Sequence, residues 1–395
     1  MAPPNLHILA LNSGSSSLKF GLYQVGESRT AVLVTGEAGS IGAANGKFDA
    51  QDPLQKSLLS ETAAIPSQRD AVMRIAKLLS DRNMPVPDAV GHRIVHGGAR
   101  LVRHCLIDPQ VLQELEAACA FAPLHMPPAL AVIRFAQEHF PGLPQAACFD
   151  TSFHAQLPPR ARTLPIAKKW QVLGLRRYGF HGLSCESIVR HLGGNVPQRL
   201  VIAHLGNGAS VTAVREGLSV DTSMGLTPTG GVIMGTRSGD LDPGVLIYLL
   251  REKKFNADML EELVDHQSGL LGISGFNSDM RRLHDAATSN PDAALAIDMF
   301  CYSVRKQIAA MIAALEGVDL IVFTGGIGEH DHEVRDSICR GLSFVGVHLD
   351  AARNRAAEHT ISAAESRLAV YIMPSQEDAE IARHTWHLTS QSSRS

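Results

Sequence analysis

Short runs of apolar residues alternate along the chain with longer segments in which apolar residues recur every three or four positions. The short runs predict β-strands and the longer segments predict helices. Near the amino terminus, apolar runs at 6–11 and 18–25 flank a turn of small residues, and helices are predicted at 66–81, 109–120 and 127–139. This mixture favours an α/β fold.

The second half of the chain begins with the same order of elements. A strand at 200–204, a glycine-rich turn at 206–208 and a strand at 209–214 repeat the earlier strand, turn and strand. The recurrence predicts a duplicated α/β domain. The proline-rich segment 157–165 is typical of a connector, so the boundary between domains is expected between 150 and 165. Further strands are predicted at 218–221, 320–323 and 370–373, and further helices at 244–253, 256–265, 291–315, from about 331, and at the carboxyl end.

The composition excludes several classes of protein. Of 395 residues, 45% are hydrophobic and 19% are charged, which is ordinary for a globular protein with a full core. Basic residues number 36 and acidic residues 39, so the net charge of −3 offers no general attraction to nucleic acid or to an anionic membrane. The serine-rich end, 389–395, predicts a disordered tail.

The cysteines and the apolar runs indicate a cytoplasmic protein. The six cysteines are scattered and form no C-x-x-C pair, so they predict neither a disulfide framework nor a zinc site. The amino terminus lacks the features of a signal peptide. The longest purely apolar helical run, 308–315, is too short to span a bilayer. We therefore expect no membrane partner.

Residues 12–19, with the sequence NSGSSSLK, are the first candidate for phosphate binding. If the chain is extended after Gly14, Ser15, Ser17 and Lys19 lie on one face. Two hydroxyls and an ammonium group suit phosphate oxygens. The segment lacks the spacing of a P-loop, and a polar hairpin is the alternative interpretation.

Two glycine-rich turns are further candidates. Residues 204–210 (HLGNGAS) and 324–329 (TGGIGE) each follow an apolar strand, and glycines let a backbone approach a phosphate closely. A glycine hairpin and a tight strand-to-helix turn are the alternatives. For the acidic and histidine-rich segment 329–333, a solvated helix amino terminus is favoured over a metal site.

Two arginines stand among glycines, Arg237 within 235–243 and Arg93 within 91–98. A guanidinium group there can bind an anion through two parallel hydrogen bonds, although a structural salt bridge is the alternative. The neighbouring His92 and His96 lack a third ligand, which disfavours zinc. Isolated histidines and acids in unusual contexts complete the candidates: His125, Asp150, His181, Glu377 and Asp378.

Together these features are typical of phosphoryl transfer, which needs cations for the phosphoryl oxygens and oxygen ligands for Mg²⁺. No G-x-S-x-G motif supports serine hydrolase chemistry. In this combination and order the motifs resemble those of the acetate kinase family over nearly the whole chain. The motifs are NSGSSSLKF, GHRIVHGG, APLH, FDTSFH, RRYGFHG, HLGNGAS, DTSMGLTP, MGTRSGDLDP, SGLLGISG and TGGIGE.

The resemblance implies the fold shared by acetate kinases, sugar kinases, Hsp70 and actin. In that fold two duplicated ribonuclease H-like α/β domains enclose a central cleft that holds the active site, and members of the family form homodimers. The expected domains are 1–150, joined by the carboxyl-terminal helix at about 378–390, and 151–377, which binds the nucleotide. All of these are expectations from the resemblance.

The resemblance also implies roles for the nucleotide and metal contacts. Asn12 and Glu377 match the residues associated with Mg²⁺, for which Mn²⁺ is an alternative. Lys19 matches a contact to the nucleotide phosphates, with Ser15 and Ser17 in the same loop. The matching nucleotide-binding stretches are His204, Leu205, Gly206, Asn207 and Gly208; Asp279, Met280 and Arg281; and Gly326, Ile327, Gly328, Glu329 and His330.

The remaining implied roles concern the acid substrate and the transition state. Arg93 matches the arginine that binds the carboxylate, and Asp150 matches the essential acid. His181 and Arg237 match the residues that stabilise the transition state, and His125 matches a further active-site histidine. The residues that match the small apolar pocket for the acetate methyl group are Val95, Leu124, Phe180 and Pro228.

The expected reaction is reversible transfer of a phosphoryl group from ATP to acetate, which gives acetyl phosphate and ADP. Acetate is already ionised at pH 7, so its attack needs no general base, and we expect Asp150 to orient an arginine or a metal-bound water. A kinase for propionate or another short-chain acid is one alternative. A nucleotide-binding regulator or phosphatase without kinase activity is another.

The chain departs from the family pattern beside the expected active site. Met126 follows His125 where Asn is common, Leu183 and Cys185 replace the usual Thr and His, and Gly230 replaces an acid. We expect these departures to affect substrate preference rather than the reaction.

Overall fold

The computed structural model describes residues 5–14, 16–122 and 125–392. The chain forms two compact units, one of Met1–Ala155 with Gln376–Ser395 and one of Gln156–Ser375. The division at Ala155 lies within the predicted boundary region, and the carboxyl-terminal segment belongs to the first unit.

Strands form the centre of each unit. Within the described residues they are β1 Leu6–Ser13, β2 Leu18–Val25, β3 Thr30–Gly39, β4 Lys47–Gln51, β5 Ser57–Thr62, β6 Ala89–Ile94, β7 Cys105–Leu106, β8 Gln145–Phe149, β9 Arg199–Leu205, β10 Ala209–Arg215, β11 Leu218–Thr222, β12 Leu320–Thr324 and β13 Ala369–Ile372.

Helices cover the sheets and connect the strands. Within the same residues they are α1 Gln68–Asp81, α2 Pro109–Ala117, α3 Met126–His139, α4 Pro159–Arg162, α5 Lys168–Gln171, α6 Gly182–Leu192, α7 Pro243–Glu252, α8 Ala257–Glu261, α9 Gly269–Ser274, α10 Met280–Ala286, α11 Pro291–Leu315, α12 Gly325–His330, α13 His332–Arg340, α14 Ala351–Arg355 and α15 Glu377–Ser392.

The two sheets share one strand order. In the first unit the order is β5-β4-β3-β2-β1-β6-β8-β7, and in the second it is β11-β10-β9-β12-β13. In the first unit, β1 runs antiparallel to β2 and parallel to β6. In the second unit, β9 runs antiparallel to β10 and parallel to β12. The central order β3-β2-β1-β6-β8 is thus repeated in the second unit. This repeat confirms the predicted duplication of a ribonuclease H-like α/β domain.

Local sequence signals set the helix ends. Ser67 caps α1 by accepting a hydrogen bond from the backbone N–H of Asp70. Asn290 caps α11, Pro291 occupies its first turn, and Glu316 ends it in the left-handed conformation. Within the described residues, no helix has the length and apolar character needed to cross a bilayer.

Helix α15 lies directly against the central strands of the first unit. It packs on β1, β2, β6 and β8 and buries Ile381 and Trp386. A methyl group added at Gly91 of β6 would come within 2.7 Å of the Ile381 side chain, so glycine is needed for this close packing. The packing places Glu377, the first residue of α15, beside the sheet.

One expectation about secondary structure is wrong. The predicted tail at 389–395 is helical as far as Ser392. There the hydroxyl of Thr389 is buried and donates to the carbonyl oxygen of Thr385 (2.9 Å).

Candidate active site

Three polar side chains of the first unit meet at the carboxyl ends of adjacent parallel strands. Asn12 lies near the end of β1, Arg93 lies near the end of β6 and Asp150 follows β8. This edge of a parallel sheet is where α/β proteins commonly bind ligands. Arg93 donates from Nε (2.9 Å) and Nη2 (2.6 Å) to Oδ2 of Asp150, and more weakly from Nη1 to Oδ1 of Asn12 (3.4 Å).

The Arg93–Asp150 ion pair is largely removed from solvent. The side chain of Asp150 is 1% exposed and that of Arg93 is 18% exposed. Two hydrogen bonds to one carboxylate oxygen fix the plane of the guanidinium group. The carboxylate of Asp150 thus fixes the orientation of the Arg93 guanidinium group in the structure.

Two carboxylates at the start of α15 join this group. The Asn12 amide donates from Nδ2 to Oε2 of Glu377 (3.2 Å) and to Oδ1 of Asp378 (2.9 Å). Burial raises the pKa of Asp378, the hydrogen bond from Asn12 works against that shift, and the charge of Glu377 adds to it. Asn12 thus holds the carboxylates of Glu377 and Asp378 side by side through its amide nitrogen, while its Oδ1 faces Arg93.

Lys19 lies opposite Asn12 in the β1–β2 register and is exposed. It lines a cavity of about 480 Å³ together with Asp378 and Glu37. Ser17 is half-buried, and its backbone carbonyl accepts from the N–H of Gly14 (2.8 Å). Ser15 lies outside the described residues.

The first unit contains further residues that the sequence motifs single out. Val95 follows β6 and is buried, and His125 directly precedes α3 and is half-buried. Leu124 lies outside the described residues. His92 is fully buried, and its Nε2 is 2.7 Å from Oε1 of Gln145. Burial lowers the pKa of His92 to about 4, so it is a neutral core histidine.

In the second unit, two of the predicted histidines stack on each other. The rings of His181 and His204 have centroids 4.2 Å apart at 22°. Nδ1 of His181 is 2.9 Å from the hydroxyl of Ser210, and Nδ1 of His204 is 2.8 Å from that of Ser184. His181 also has a left-handed backbone (φ 59°), which is costly for any residue other than glycine and occurs most often at functional sites.

Arg237 and His181 converge on the turn between β9 and β10. A methyl group added at Gly208 would lie 2.6 Å from Nη2 of Arg237 and 3.2 Å from Nε2 of His181. Nη1 of Arg237 donates to the carbonyl oxygen of Pro228 (2.6 Å). Phe180 and Pro228 are buried. The absence of a side chain at Gly208 lets both side chains approach the backbone of this turn.

Two of the predicted nucleotide-binding stretches follow neighbouring strands. His204 and Thr324 are partners in the parallel β9–β12 pair, so the turn at 206–208 and helix α12 lie at the same edge. Asn207, Gly326 and His330 are exposed there, whereas Leu205 and Gly328 are buried and Ile327 is half-buried.

Glu329 has a structural contact within its own turn. One of its carboxylate oxygens accepts from the backbone N–H groups of Gly325 (2.9 Å) and Ser375 (3.1 Å). Its carboxylate thus anchors the strand-to-helix turn. Asp331 accepts from two backbone N–H groups at the start of α13, which confirms a helix amino terminus at 331–333, whereas Glu329 and His330 are the last residues of α12.

The third stretch lies at the start of α10. Asp279 caps this helix by accepting from the N–H of Arg281, and its other oxygen forms an ion pair with the exposed Arg281 side chain (2.7 Å). Met280 is buried. The side chain of His284, one turn further along, contacts Asp331 at 3.0 Å.

The departures from the family pattern have different surroundings. Met126, Leu183 and Cys185 are fully buried and fill the core. A methyl group added at Gly230 would lie 3.4 Å from Oδ1 of Asp240, so a larger acidic side chain there would approach a carboxylate.

Three residues near the predicted site have no role assigned by the motifs. Asp378 is a candidate without a role, although its position directly after Glu377 is an available signal. Ser210 is the register partner of His204, which the alternation along β9 and β10 could have revealed. No sequence motif points to Arg335. Its buried guanidinium group donates to the backbone carbonyls of Gly328 (2.9 Å) and Asn354 (2.7 Å), and backbone partners leave no pattern in the sequence.

The duplicated sheet order, with polar side chains at the ends of its central strands, defines a phosphotransferase of the actin-like ATPase fold. A solved propionate kinase from Francisella tularensis superposes with a TM-score of 0.90, at 35% identity over 97% of this chain and 100% of its own. The acetate kinase of Porphyromonas gingivalis gives a TM-score of 0.85 at 34% identity, again over 97% and 100%.

Sequence comparison is equally specific. A relative from Methylocella silvestris, described as an acetate kinase, is 40% identical over 97% of this chain and 98% of its own. An acetate kinase from Rhodopseudomonas palustris is 40% identical over 96% and 98%. The model of the acetokinase family matches residues 7–383. This chain belongs to the acetokinase family.

Proposed function

We propose that this protein transfers the γ-phosphoryl group of ATP to acetate, reversibly, to give acetyl phosphate and ADP. The observation that carries the proposal is that each unit holds oriented side chains suited to anions. In the first unit Arg93 is held by Asp150, and in the second Arg237 and His181 lie beside the glycine turn. Both substrates are anions, so the main barrier to transfer is their mutual repulsion. Fixed cations lower that barrier without reorganising during the reaction.

Arg93 binds the acetate carboxylate in this proposal. Asp150 holds its Nε and Nη2, so the orientation of the guanidinium group is set before the substrate arrives. The carboxylate oxygen attacks the γ-phosphorus directly, because acetate is ionised at neutral pH. The bond that forms joins this oxygen to phosphorus, and the bond to the β-phosphate oxygen breaks, so that ADP leaves with its electron pair.

Arg237 and His181 stabilise the charge on the transferred phosphoryl group. Phosphoryl transfer places this charge on the equatorial oxygens, which are suited to hydrogen-bond donors fixed by their surroundings. Arg237 is fixed by the carbonyl of Pro228, and His181 by Ser210 and by stacking on His204. The turn at 204–208, the stretch 326–330 and Asp279–Arg281 bind the nucleotide, with Lys19 and the loop of Ser15 and Ser17 at its phosphates.

The cluster of Asn12, Glu377 and Asp378 fits Mg²⁺. Carboxylate oxygens are ligands that Mg²⁺ prefers, and the Asn12 amide holds those of Glu377 and Asp378 side by side. The buried carboxyl group of Asp378 beside Glu377 would be favoured in its charged form by a nearby cation. Asn12 and Glu377 would hold the ion, directly or through water. When bound, the ion supplies positive charge to the ATP phosphates.

The proposal is tested by measuring ADP release from Mg²⁺-ATP with and without acetate, propionate or butyrate. Release that depends on the acid, with acetate preferred, is the expected result. Release that is equal with and without any acid indicates a phosphatase instead. Binding of ATP with no release indicates a nucleotide-binding regulator.

Propionate is the second candidate substrate, because the solved structure with the TM-score of 0.90 is a propionate kinase. We propose that Val95, Leu124, Phe180 and Pro228 receive the methyl group of acetate. Propionate is then a poorer substrate rather than an excluded one, since one methylene group changes discrimination by about 1–3 kcal/mol.

Replacing Val95 with alanine is expected to improve propionate relative to acetate. The smaller side chain makes room for the extra methylene group, which shifts the ratio of the two kcat/KM values by about tenfold. Val90, which is buried near the start of β6, provides a matched Val→Ala control. An unchanged ratio in the Val95 variant would remove Val95 from the proposed pocket.

We further propose that the protein is a homodimer in which α7 lies in the interface. This helix has no buried residue, although its Val245, Ile247 and Tyr248 are large apolar side chains with exposures of 43%, 47% and 53%. Exposed apolar faces of this kind are typical of protein–protein interfaces. The family resemblance makes a second copy of this chain the expected partner.

Replacing Ile247 with aspartate is expected to convert the dimer to a monomer, because a charge would be buried without a partner. Multi-angle light scattering of both proteins gives the masses. Leu218 is also exposed but lies on β11, and Leu218→Asp serves as the matched control that keeps the dimer mass. A wild-type protein with the mass of one chain would contradict the proposed dimer.

A further inference from the structure

His284 joins two segments that the proposed function assigns to nucleotide binding. It lies in α10, which begins directly after Asp279, and its Nε2 is 3.0 Å from Oδ2 of Asp331. Asp331 directly follows the stretch 326–330. The same histidine has its Nδ1 3.4 Å from a carboxylate oxygen of Glu333.

The two oxygens of Asp331 have separate partners. Oδ1 accepts from the backbone N–H groups of Glu333 (3.1 Å) and Val334 (3.0 Å) and so caps α13, which leaves Oδ2 to His284. The backbone N–H of Asp331 donates to the carbonyl oxygen of Ile327 (3.0 Å), a residue of the nucleotide stretch itself. A displacement of Asp331 is therefore transmitted to that stretch.

We propose that His284 is a positioning residue for the nucleotide: its bond to Asp331 keeps the start of α10 and the stretch 326–330 at the spacing that ADP and ATP require. This inference rests on the proposed function, because it takes both segments as nucleotide contacts. His284 itself acts only through Asp331. The effect falls on nucleotide affinity and not on the affinity for acetate.

The bond depends on pH. The hydrogen bond that His284 donates to Asp331 raises the pKa of His284 above its ordinary value, and the charges of Asp331 and Glu333 add to the shift, although burial works against it. The ion pair is thus fully present below the ordinary histidine pKa of about 6.5 and is lost as the pH rises through the raised value. A cavity of about 570 Å³ lies beside His284. The other charged and titratable groups that line this cavity, or whose charges act on His284, are Asp285, Asp298, Asp331, His332, Glu333, Asp336, Arg340 and Arg355.

The test is the Kd of the intact protein for ADP with Mg²⁺, measured by calorimetry at about pH 6 and about pH 9. His284→Gln is expected to weaken binding about three- to tenfold at the lower pH and to match the wild type at the higher pH, where the histidine is neutral. Asp331→Asn keeps the cap of α13 and is expected to give the same loss at the lower pH. The double variant should be no weaker than either single one.

His7→Gln is the matched control, because His7 also faces an aspartate, Asp88 (3.5 Å), but lies outside every nucleotide stretch. Its Kd should equal that of the wild type at both pH values. Equal Kd values for wild type and His284→Gln at the lower pH overturn the positioning role, and so does a loss that is the same at both pH values. Acyl phosphate formation by the wild type then still stands as separate support for the proposed function. A wild type that binds no ADP overturns both.

Discussion

Replacing Arg237 with alanine is expected to lower kcat for acetyl phosphate formation at least about 100-fold, with the fold intact. Loss of one fixed donor to a developing charge typically costs about 2.7–4 kcal/mol of transition-state stabilisation, which gives this magnitude. Arg237 is half-buried, and its Nη1 donates to the backbone carbonyl of Pro228. The loss should therefore be in kcat much more than in stability. Steady-state kinetics and a thermal melt separate the two.

Arg215 provides the matched control for this change. Its guanidinium group also donates to one backbone carbonyl, that of Leu315 (3.0 Å), but it lies outside the proposed site. Arg215→Ala should leave kcat within about twofold of the wild type, since surface substitutions away from special features have small effects. A loss below tenfold in Arg237→Ala, or a similar loss in both variants, would refute the role assigned to Arg237.

The second large effect is expected from replacing Asp150 with alanine. Arg93 then loses the carboxylate that receives its Nε and Nη2, and a buried cation remains without that partner. Breaking a buried pair in this way costs about 3–5 kcal/mol of stability. The released guanidinium group also no longer presents a fixed plane to acetate, so kcat/KM for acetate should fall at least about 100-fold. Chemical denaturation and initial rates measure these two effects.

The pair of Arg199 and Asp319 is the control for this prediction. It is also bonded through two guanidinium nitrogens, but both side chains are about one third exposed and lie outside the proposed site. Asp319→Asn should cost no more than about 1 kcal/mol of stability and leave kcat/KM unchanged. Asp150→Asn keeps the shape of the side chain and tests the charge alone. Full activity in Asp150→Asn would show that the charge of Asp150 does not orient Arg93.

Much of the fold could be predicted because its signals are local. The apolar runs gave β1, β2, β9, β10 and β12, and the repeated order of strand, turn and strand correctly predicted the duplication. Strand β4 could not be predicted this way, because it buries only Phe48 and Ala50 between polar residues. Its place in the sheet is decided by its partners β3 and β5, which are tertiary contacts.

The candidate site was predictable where chemistry and spacing coincide. Arg93, Asp150 and Asn12 come from separate motifs, and the structure brings them together because β1, β6 and β8 are adjacent and parallel. His284 and Asp331 are in contact but lie 47 residues apart in the sequence, and no motif links them. Only the folded chain reveals this contact. Polar contacts between distant segments that carry no motif were therefore beyond the sequence pattern.

The central claim is direct transfer of a phosphoryl group from ATP to a carboxylate. The measurement that tests it most directly is trapping of the product with hydroxylamine, in a reaction of the intact enzyme with Mg²⁺-ATP and acetate. We predict acetyl hydroxamate in an amount equal to the ADP released, because each transfer makes one acetyl phosphate. ADP release without hydroxamate from acetate, propionate or butyrate would contradict the account.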